Sequence, residues 1–164
     1  MNRRSFLSAL LAASLSTQVK AEDIQALCEK AQQIVNSKLT YATDMEVFGL
    51  SQVVENVKQA YKRGKGDCEE FAICYRHELI QLGVSPSRIK IVYCYVEFVG
   101  AHAICVVDNT LVIDCYLPNS VRPLSRRPDL IPSPKVGKFL AYTGETEAQI
   151  VESIKNGSAV AAGF

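Results

Sequence analysis

Apolar residues in the first half of the chain recur at helical spacing. Over residues 23–37 they fall three or four positions apart, which places them on one face of a helix. The same spacing over residues 50–61 predicts a second helix, after the connector "KLTYATDMEVFG". Beyond the breaker segment "KRGKG" it predicts a third helix over residues 67–82, which Gly83 ends. The first half of the chain is therefore predicted to be helical.

The second half has the pattern of β-strands. The segments "IKIVYCYVEF", "AHAICVV" and "LVIDCYL" are rich in β-branched and aromatic residues. Gly100 and the pair of Asp108 and Asn109 separate them, so they predict three strands of an antiparallel meander. A fourth strand, "GKFLAY", is predicted after an irregular segment, and a last helix over residues 145–155. Helices followed by strands indicate an α+β domain.

Residues 1–21 have the pattern of an export signal. Two adjacent arginines give a basic start, an apolar run of small residues follows, and Val19 and Ala21 occupy the −3 and −1 positions of a cleavage site. The arginines followed by Ser-Phe-Leu resemble a twin-arginine signal, and a Sec signal or an uncleaved N-terminal anchor are the alternatives. We therefore expect a periplasmic or otherwise exported protein with a single domain over residues 22–164, a length that suffices for one core.

The charge balance argues against nucleic acid as a partner. The full chain has 18 basic and 17 acidic residues, a formal net charge of +1. Without residues 1–21 it has 15 basic residues against the same 17 acidic ones, a formal net charge of −2. This balance gives no electrostatic reason to expect binding to a phosphate backbone. Beyond the signal, no segment is long and apolar enough to predict an integral membrane segment in the mature chain.

The chain has six cysteines, and an oxidising compartment would permit disulfides between them. They are Cys28, Cys68, Cys74, Cys94, Cys105 and Cys115. None belongs to a C-x-x-C pair, so a thioredoxin-type redox motif is absent. Cys74 and His77 have the spacing of half a zinc site, but the sequence offers no second half. We therefore interpret that pair as incidental.

One cysteine stands among acids instead of apolar neighbours. Cys68, in "GKGDCEEF", lies at the predicted start of the third helix and is flanked by Asp67, Glu69 and Glu70. The dipole and free N–H groups of a helix N-terminus favour a thiolate, and the same N–H groups would bind an oxyanion. The carboxylates oppose this, because nearby negative charges raise a thiol pKa. A bound cation would remove the conflict, and carboxylate oxygens suit Ca²⁺ best, although acids are also common in the first turn of a helix.

A cysteine nucleophile needs a base, and the chain has only two histidines. His77 follows Cys68 by nine residues, which is roughly 13 Å along the same helix and about 180° around it, so the two side chains cannot touch. His102 remains, on the second predicted strand, which can pack against the helix that carries Cys68. The alternative interpretation of His102 is a core histidine held by hydrogen bonds.

The residue that orients the imidazole should be an acid near His102. Asp108 lies in the predicted turn, where aspartate is common for turn geometry alone. Asp114 is a carboxylate inside an apolar strand and so needs a partner. A two-residue turn would place Asp114 and His102 on opposite faces of the hairpin, whereas a three-residue turn over residues 108–110 would make them diagonal neighbours on one face. A triad of Cys68, His102 and Asp114 therefore requires an odd-length turn.

Four segments carry a resemblance to a known family: "YATDMEVFGL", "GKGDCEEFAICYRHELIQLGVSPSRIKIVY", "AHAICVV" and "LVIDCYLPNSVRPLSRRPDL". They resemble the bacterial transglutaminase-like cysteine peptidases, which include the LapG-type periplasmic proteases. The resemblance covers residues 35–131, and the "GDCEEFA" helix start is its most specific part. It implies a papain-like, transglutaminase-like fold in which N-terminal helices pack on an antiparallel β-sheet. It also implies that Cys68 is the nucleophile, His102 the general base and acid, and Asp114 the residue that orients the imidazole.

The resemblance further implies a cofactor and partners. In LapG-type members the acids that flank the cysteine bind calcium, so Asp67, Glu69 and Glu70 are the expected Ca²⁺ ligands. Those proteases cut large surface adhesins and release biofilm cells, and an inner-membrane receptor sequesters them. A protein substrate of the adhesin class and a membrane receptor are therefore the implied partners. The chain departs from the family pattern at Cys115 (asparagine in members), at Glu70 (aspartate in members) and in having no tryptophan.

These features favour an exported cysteine peptidase that hydrolyses a peptide bond through an acyl-enzyme. The same triad would serve a transglutaminase or amidase that passes the acyl group to an amine, because the pocket chooses the acceptor. Two alternatives have no turnover. One is a calcium-binding interaction module, and the other is a structural protein in which Cys68 is disulfide-bonded.

Overall fold

The structure, a computed structural model, describes residues 21–164 of the chain. The predicted export signal at residues 1–21 lies outside them, except for Ala21, where the first helix begins. The described part has five α-helices: α1 (Ala21–Lys38), α2 (Asp44–Phe48), α3 (Val57–Arg63), α4 (Cys68–Gln81) and α5 (Glu147–Lys155). Its strands are β1 (Thr40–Tyr41), β2 (Lys65–Gly66), β3 (Ile89–Val96), β4 (Gly100–Val107), β5 (Leu111–Ile113), β6 (Arg122–Pro123), β7 (Leu130–Ile131), β8 (Leu140–Tyr142) and β9 (Ala159–Ala161).

Helices α1 and α4 confirm the predictions over residues 23–37 and 67–82. The start of α4 is fixed by a capping box, in which the Asp67 carboxylate accepts the N–H of Glu69 and the Glu70 carboxylate accepts the N–H of Asp67. Most residues of α4 are buried, because α1 packs on one side of it and β4 on another. Helix α4 is therefore the central helix of the domain, and Cys68 is its first residue.

The prediction of one helix over residues 50–61 is wrong. The helix there, α3, begins only after Asn56, whose side chain caps it, and residues 52–56 before it have no regular secondary structure. Val54 is buried in that irregular segment, so the apolar residues there were placed by burial and not by helical periodicity. Helix α2 lies instead in the predicted connector, between the Thr43 cap and Gly49, which ends it with a φ of 68°.

The main sheet is antiparallel and has the strand order β6-β5-β4-β3-β8-β9, with β7 also paired to β3. Alternate residues of the long hairpin β3–β4 point to its two faces. Ile91 and Cys105 belong to the main core with the helices, whereas Val92 and Ile104 belong to a second core that includes Leu130. The first two predicted meander strands are confirmed, the third is a strand only over Leu111–Ile113, and β8 retains the last three residues of the predicted fourth strand. The fold is α+β, as predicted.

The turn between β4 and β5 has an odd length. Val107 pairs with Leu111 and Cys105 with Ile113, which leaves residues 108–110 as a three-residue turn. Asp108 and Asn109 have positive φ values of 52° and 57°, a conformation that these two residue types tolerate better than most. The turn length required by the predicted triad is therefore confirmed.

Helix α5 begins two residues later than predicted, at Glu147, because Thr146 caps it. In the part of the chain that the structure describes, no helix has the length and apolar character needed to cross a membrane.

Candidate active site

His102 and Asp114 form a buried pair at the centre of the candidate site. His102 lies on β4, Asp114 directly follows β5, and each is 1% exposed. Nε2 of His102 lies 2.8 Å from Oδ1 of Asp114. Burial works to raise the pKa of Asp114, but the hydrogen bonds from His102, from the N–H of Tyr116 and from Arg127 outweigh it and hold that pKa below its ordinary value. Asp114 is therefore a carboxylate that can orient an imidazole.

Arg127 holds the other oxygen of Asp114. Its Nη2 donates to Oδ2 of Asp114 at 2.8 Å and to Oδ2 of Asp129 at 2.7 Å. The Arg127 side chain is buried, whereas Asp129 is partly exposed. Sequence analysis did not single out Arg127, because one arginine in "RPLSRRPDL" looks like another until the fold shows which of them is buried.

The second ring nitrogen of His102 is left free for chemistry. Within residues 21–164, Nδ1 is buried and has no hydrogen-bond partner. The ring of Tyr116 stacks on the imidazole, with centroids 4.2 Å apart and planes 12° apart. An imidazole that is held by a carboxylate at one nitrogen, and is unpartnered at the other, has the arrangement of a general base.

Cys68 lies beside the strand that carries His102. Helix α4 packs against β4, and the backbone of Ala103, the residue after His102, is near enough to Sγ to work toward a lower pKa of the thiol. Sγ donates a hydrogen bond to Oε2 of Glu69, at 2.8 Å. In the described part of the chain no hydrogen bond joins Sγ to His102. The thiol proton is therefore held by Glu69 in this structure.

The expected stabilisation of a Cys68 thiolate by the helix N-terminus is outweighed. Burial of the side chain raises the pKa of Cys68 well above its ordinary value, and the negative charges of Glu69 and Asp67 raise it further. The conflict between the helix dipole and the acids, inferred from the sequence, is thus resolved in favour of the protonated thiol when no cation is present.

The acids around Cys68 form two overlapping clusters. The ligand atoms of Asp67, Cys68 and Glu69 lie within 4.8 Å of one another, and so do those of Asp44, Asp67 and Glu70. Asp67 belongs to both clusters. Asp44, the first residue of α2, is a member that sequence analysis missed, because it lay in a predicted connector and only the fold brings α2 to the start of α4.

Glu70 is held in place by its surroundings. Its Oε1 accepts the N–H of Glu55 at 2.9 Å, and its Oε2 accepts the N–H of Asp67 at 3.1 Å. Gly66 leaves the space that this side chain fills, since a Cβ at residue 66 would lie only 2.6 Å from Cβ of Glu70. The fold therefore leaves a fitted space for the Glu70 side chain.

The donor set fits a hard divalent cation. Within residues 21–164, none of Asp44, Asp67, Glu69 and Glu70 forms an ion pair with a basic side chain. Burial and the charge of Asp67 raise the pKa of Glu69 to about 7 and that of Glu70 to about 8, and burial raises the pKa of Asp44. Crowded carboxylates without a counter-charge are the environment that Ca²⁺ binding neutralises.

Tyrosines surround the site. Tyr41, on β1, pairs in the β1–β2 ladder with Gly66, two residues before Cys68. Its hydroxyl lies 3.3 Å from that of Tyr116, which stacks on His102. Both rings are partly exposed, so one tyrosine from the Cys68 side and one from the His102 side meet at the surface over the site.

The other cysteines and His77 lie in different parts of the described fold. All six cysteines lie in residues 21–164, and none of them forms a disulfide there. Cys115 is near the His102–Asp114 pair, since its sulfur and the ligand atoms of the pair lie within 4.8 Å of one another, and burial raises the pKa of Cys115. His77 is on another side of α4, where Nδ1 lies 3.3 Å from Glu147.

The sequence profile of a family described as bacterial transglutaminase-like cysteine proteinase (BTLCP) matches residues 9–122. Among solved structures, Legionella pneumophila LapG is 26% identical, with a TM-score of 0.62, over 77% of this chain and 69% of that one. An EGTA-treated LapG of the same organism is 28% identical, with a TM-score of 0.57, over 68% and 62% of the two chains. A calcium-bound form, 22% identical over 85% and 83%, has a TM-score of 0.61 and supports the fold alone. No curated protein sequence matches the chain.

Proposed function

Because the chain belongs to the bacterial transglutaminase-like cysteine proteinase family, we propose that its peptidase activity uses Cys68, His102 and Asp114 to hydrolyse a peptide bond of a protein substrate. The observation that carries this proposal is the buried His102–Asp114 pair, whose unpartnered Nδ1 lies on the strand against which the helix of Cys68 packs. The LapG structures, which share the antiparallel sheet and helices, support the same assignment.

The reaction begins with proton transfer from Cys68 to Nδ1 of His102. Sγ attacks the carbonyl carbon of the peptide bond, and the backbone N–H of Cys68, the first residue of α4, holds the oxyanion that forms. Asp114 stabilises the imidazolium through Nε2, and Arg127 keeps Asp114 ionised and in position. Nδ1–H then protonates the leaving amine, which gives an acyl-enzyme and an amine product. Water, deprotonated by Nδ1, hydrolyses the thioester and restores Cys68.

The acids beside Cys68 make this reaction calcium-dependent. In the structure the Glu69 carboxylate holds the thiol proton, which opposes transfer to His102. Asp67, Glu69 and Glu70, together with Asp44, would hold a Ca²⁺ ion, whose charge offsets theirs and lowers the thiol pKa. Glu69 is then a cation ligand instead of the acceptor of the Cys68 proton. The calcium-bound and EGTA-treated forms of LapG are consistent with such a site in a relative.

The location and partners follow from the resemblance. An N-terminal export signal, of the twin-arginine or Sec type, would place the domain of residues 22–164 in the periplasm. A surface adhesin is the proposed substrate class, and a membrane receptor that sequesters the protease is the proposed regulator. The aromatic rim formed by Tyr41 and Tyr116 suits a protein segment that lies across the site in an extended conformation.

The reactivity of Cys68 tests the proposed mechanism directly. We expect alkylation of Cys68 at pH 6–7 to be slow without calcium and faster by about tenfold or more with it, since about one pKa unit corresponds to a tenfold change in thiolate. Glu69→Gln should accelerate the calcium-free reaction, because it removes a negative charge from the thiol. His102→Ala should abolish the calcium-dependent gain. Peptide mass mapping after iodoacetamide treatment measures each rate.

The other thiols and an exposed acid provide the controls. Burial raises the pKa values of Cys28, Cys74 and Cys94 to about 12, so these residues should remain unlabelled and report unfolding if they react. Glu97→Gln, an exposed acid at the β3–β4 turn, should leave the Cys68 rate unchanged. Equal rates with and without calcium, in the wild type and in His102→Ala, would refute the mechanism.

The acidic cluster should also make stability depend on pH and calcium. Glu69 and Glu70 bind protons more tightly in the folded chain than at their ordinary pKa near 4.5. Without calcium, the free energy of unfolding is therefore expected to be highest below about pH 4.5, as far as these groups are concerned, and to fall by a few kcal/mol up to about pH 8. Calcium should reverse that fall by binding the ionised carboxylates. Urea unfolding at pH 5 and pH 8, with calcium and with EGTA, measures both effects, and a calcium effect that is equal at the two pH values would contradict the assignment.

A further inference from the structure

Arg76, in the third turn of α4, is a buried arginine without an anionic partner. Arg76 is 5% exposed. Within residues 21–164 it forms no ion pair, and its guanidinium donates one side-chain hydrogen bond, from Nη2 to the carbonyl oxygen of Glu145 at 2.6 Å. A guanidinium has five N–H donors, and burying a charge without a partner is unfavourable. Burial accordingly lowers the pKa of Arg76.

The guanidinium lines a cavity of about 240 Å³ between α4 and α5. Ile73, Ile80, Pro86 and Ile150 are the apolar residues of the lining, which also includes His77, Glu145, Thr146 and Glu147, and the exposed part of the lining is mainly apolar. A mainly apolar surface with a few polar groups is the usual composition of a small-molecule site, in which the apolar wall supplies affinity and the polar groups fix orientation.

Within residues 21–164, the acids that line this cavity form no ion pair with Arg76, although the charge of Glu147 works to raise its pKa. Glu147 uses Oε1 to accept the N–H of Val57 at 3.1 Å, while its Oε2 lies 3.3 Å from Nδ1 of His77. Glu145 contacts Arg76 through its backbone carbonyl, and its side chain is exposed. The donors at Nε and Nη1 of Arg76 thus have no protein acceptor in the described residues. These two atoms are not fully buried, so a ligand can reach them.

From this arrangement we propose that the cavity between α4 and α5 is a binding site for a small apolar carboxylate, whose charged group pairs with Arg76. Two parallel N–H···O bonds are the preferred geometry between a guanidinium and a carboxylate. A branched aliphatic body of a few carbons suits the isoleucine-lined wall and the cavity volume. Arg76 lies eight residues after Cys68, roughly 12 Å along the helix axis, so the site is separate from the catalytic centre.

An apolar carboxylate of this kind has two sources, a free carboxylic acid and the C-terminal residue of a peptide. The free acid is represented by 4-methylpentanoate, and the peptide by an acetylated dipeptide that ends in leucine. Titration of each into the purified protein, followed by ¹H–¹⁵N NMR with detection of arginine side chains, should show saturable binding of at least one of them. We expect a dissociation constant of about 1 mM or below, with the shifts centred on Arg76 and Ile150. The uncharged amide, 4-methylpentanamide, should bind at least about tenfold more weakly.

Variants separate the guanidinium from general packing effects. Arg76→Met keeps an unbranched side chain of similar length and should lower the affinity at least about tenfold, whereas Arg126→Met, at an exposed arginine, should leave it unchanged. If Arg76→Met does not fold, the wild-type spectra still decide, because they follow the Arg76 side chain directly. Failure of both carboxylates to bind at about 10 mM, equal binding of acid and amide, or shifts that avoid Arg76 would each overturn the proposal.

Discussion

Replacement of Cys68 by alanine is expected to lower kcat/KM for peptide hydrolysis at least about 10⁴-fold, because the reaction loses its nucleophile and no other thiol can replace it at the start of α4. The measurement is cleavage of a proteome-derived peptide library in the presence of calcium, with products identified by mass spectrometry. The fold should survive, since alanine is a good helix former and removes only the sulfur.

Cys115→Ala is the matched control for this variant. Cys115 is also a thiol near His102 and Asp114. Cys115 directly follows Asp114 and accepts no proton in the mechanism. The kcat/KM of Cys115→Ala should therefore stay within about tenfold of the wild type. Loss of activity in Cys115→Ala with retention in Cys68→Ala would identify Cys115 as the nucleophile instead. Equal thermal unfolding temperatures of the two variants would exclude a difference in folding.

The elements that carry Cys68, His102 and Asp114 could be predicted because each has a strong local cause. The start of α4 follows from Asp67 and Glu70, a capping box that is legible in four residues. The β4–β5 turn follows from the Asp108–Asn109 pair, and its odd length was a condition that the structure met. The prediction of a helix over residues 50–61 failed for the opposite reason, because no local signal decides the structure there. Val54 is buried by contacts of the fold, and the helix begins only after Asn56.

The supporting residues could not be predicted, since they are set by contacts between distant segments. Asp44 reaches Asp67 and Glu70 only because β1 and β2 pair and bring α2 beside α4. Arg127 reaches Asp114 from a segment without long strands, and nothing in "LSRRPD" distinguishes it from Arg126. A carboxylate in an apolar strand signals that a partner exists, but it does not say which cation is the partner.

Arg127→Met is expected to destabilise the protein by about 3–5 kcal/mol, the range for removing one partner from a buried ion pair. Asp114 would keep its buried charge with only His102 and the N–H of Tyr116 as hydrogen-bond donors. Urea unfolding at pH 7 with calcium measures the loss, and Arg126→Met, an exposed neighbour, should change the stability by less than about 0.5 kcal/mol.

The same variant separates positioning from stability. Under conditions where Arg127→Met is still folded, kcat should fall by more than the unfolded fraction explains, while KM stays similar, because Asp114 loses the contact that fixes its second oxygen. Arg127→Lys retains the charge, but it cannot reach Asp114 and Asp129 with the geometry of a guanidinium, so it should recover part of the stability and less of kcat. A folded Arg127→Met with wild-type kcat would show that the His102–Asp114 pair orients itself. In that case Arg127 would serve the fold alone, as the link between the end of β5 and the segment before β7.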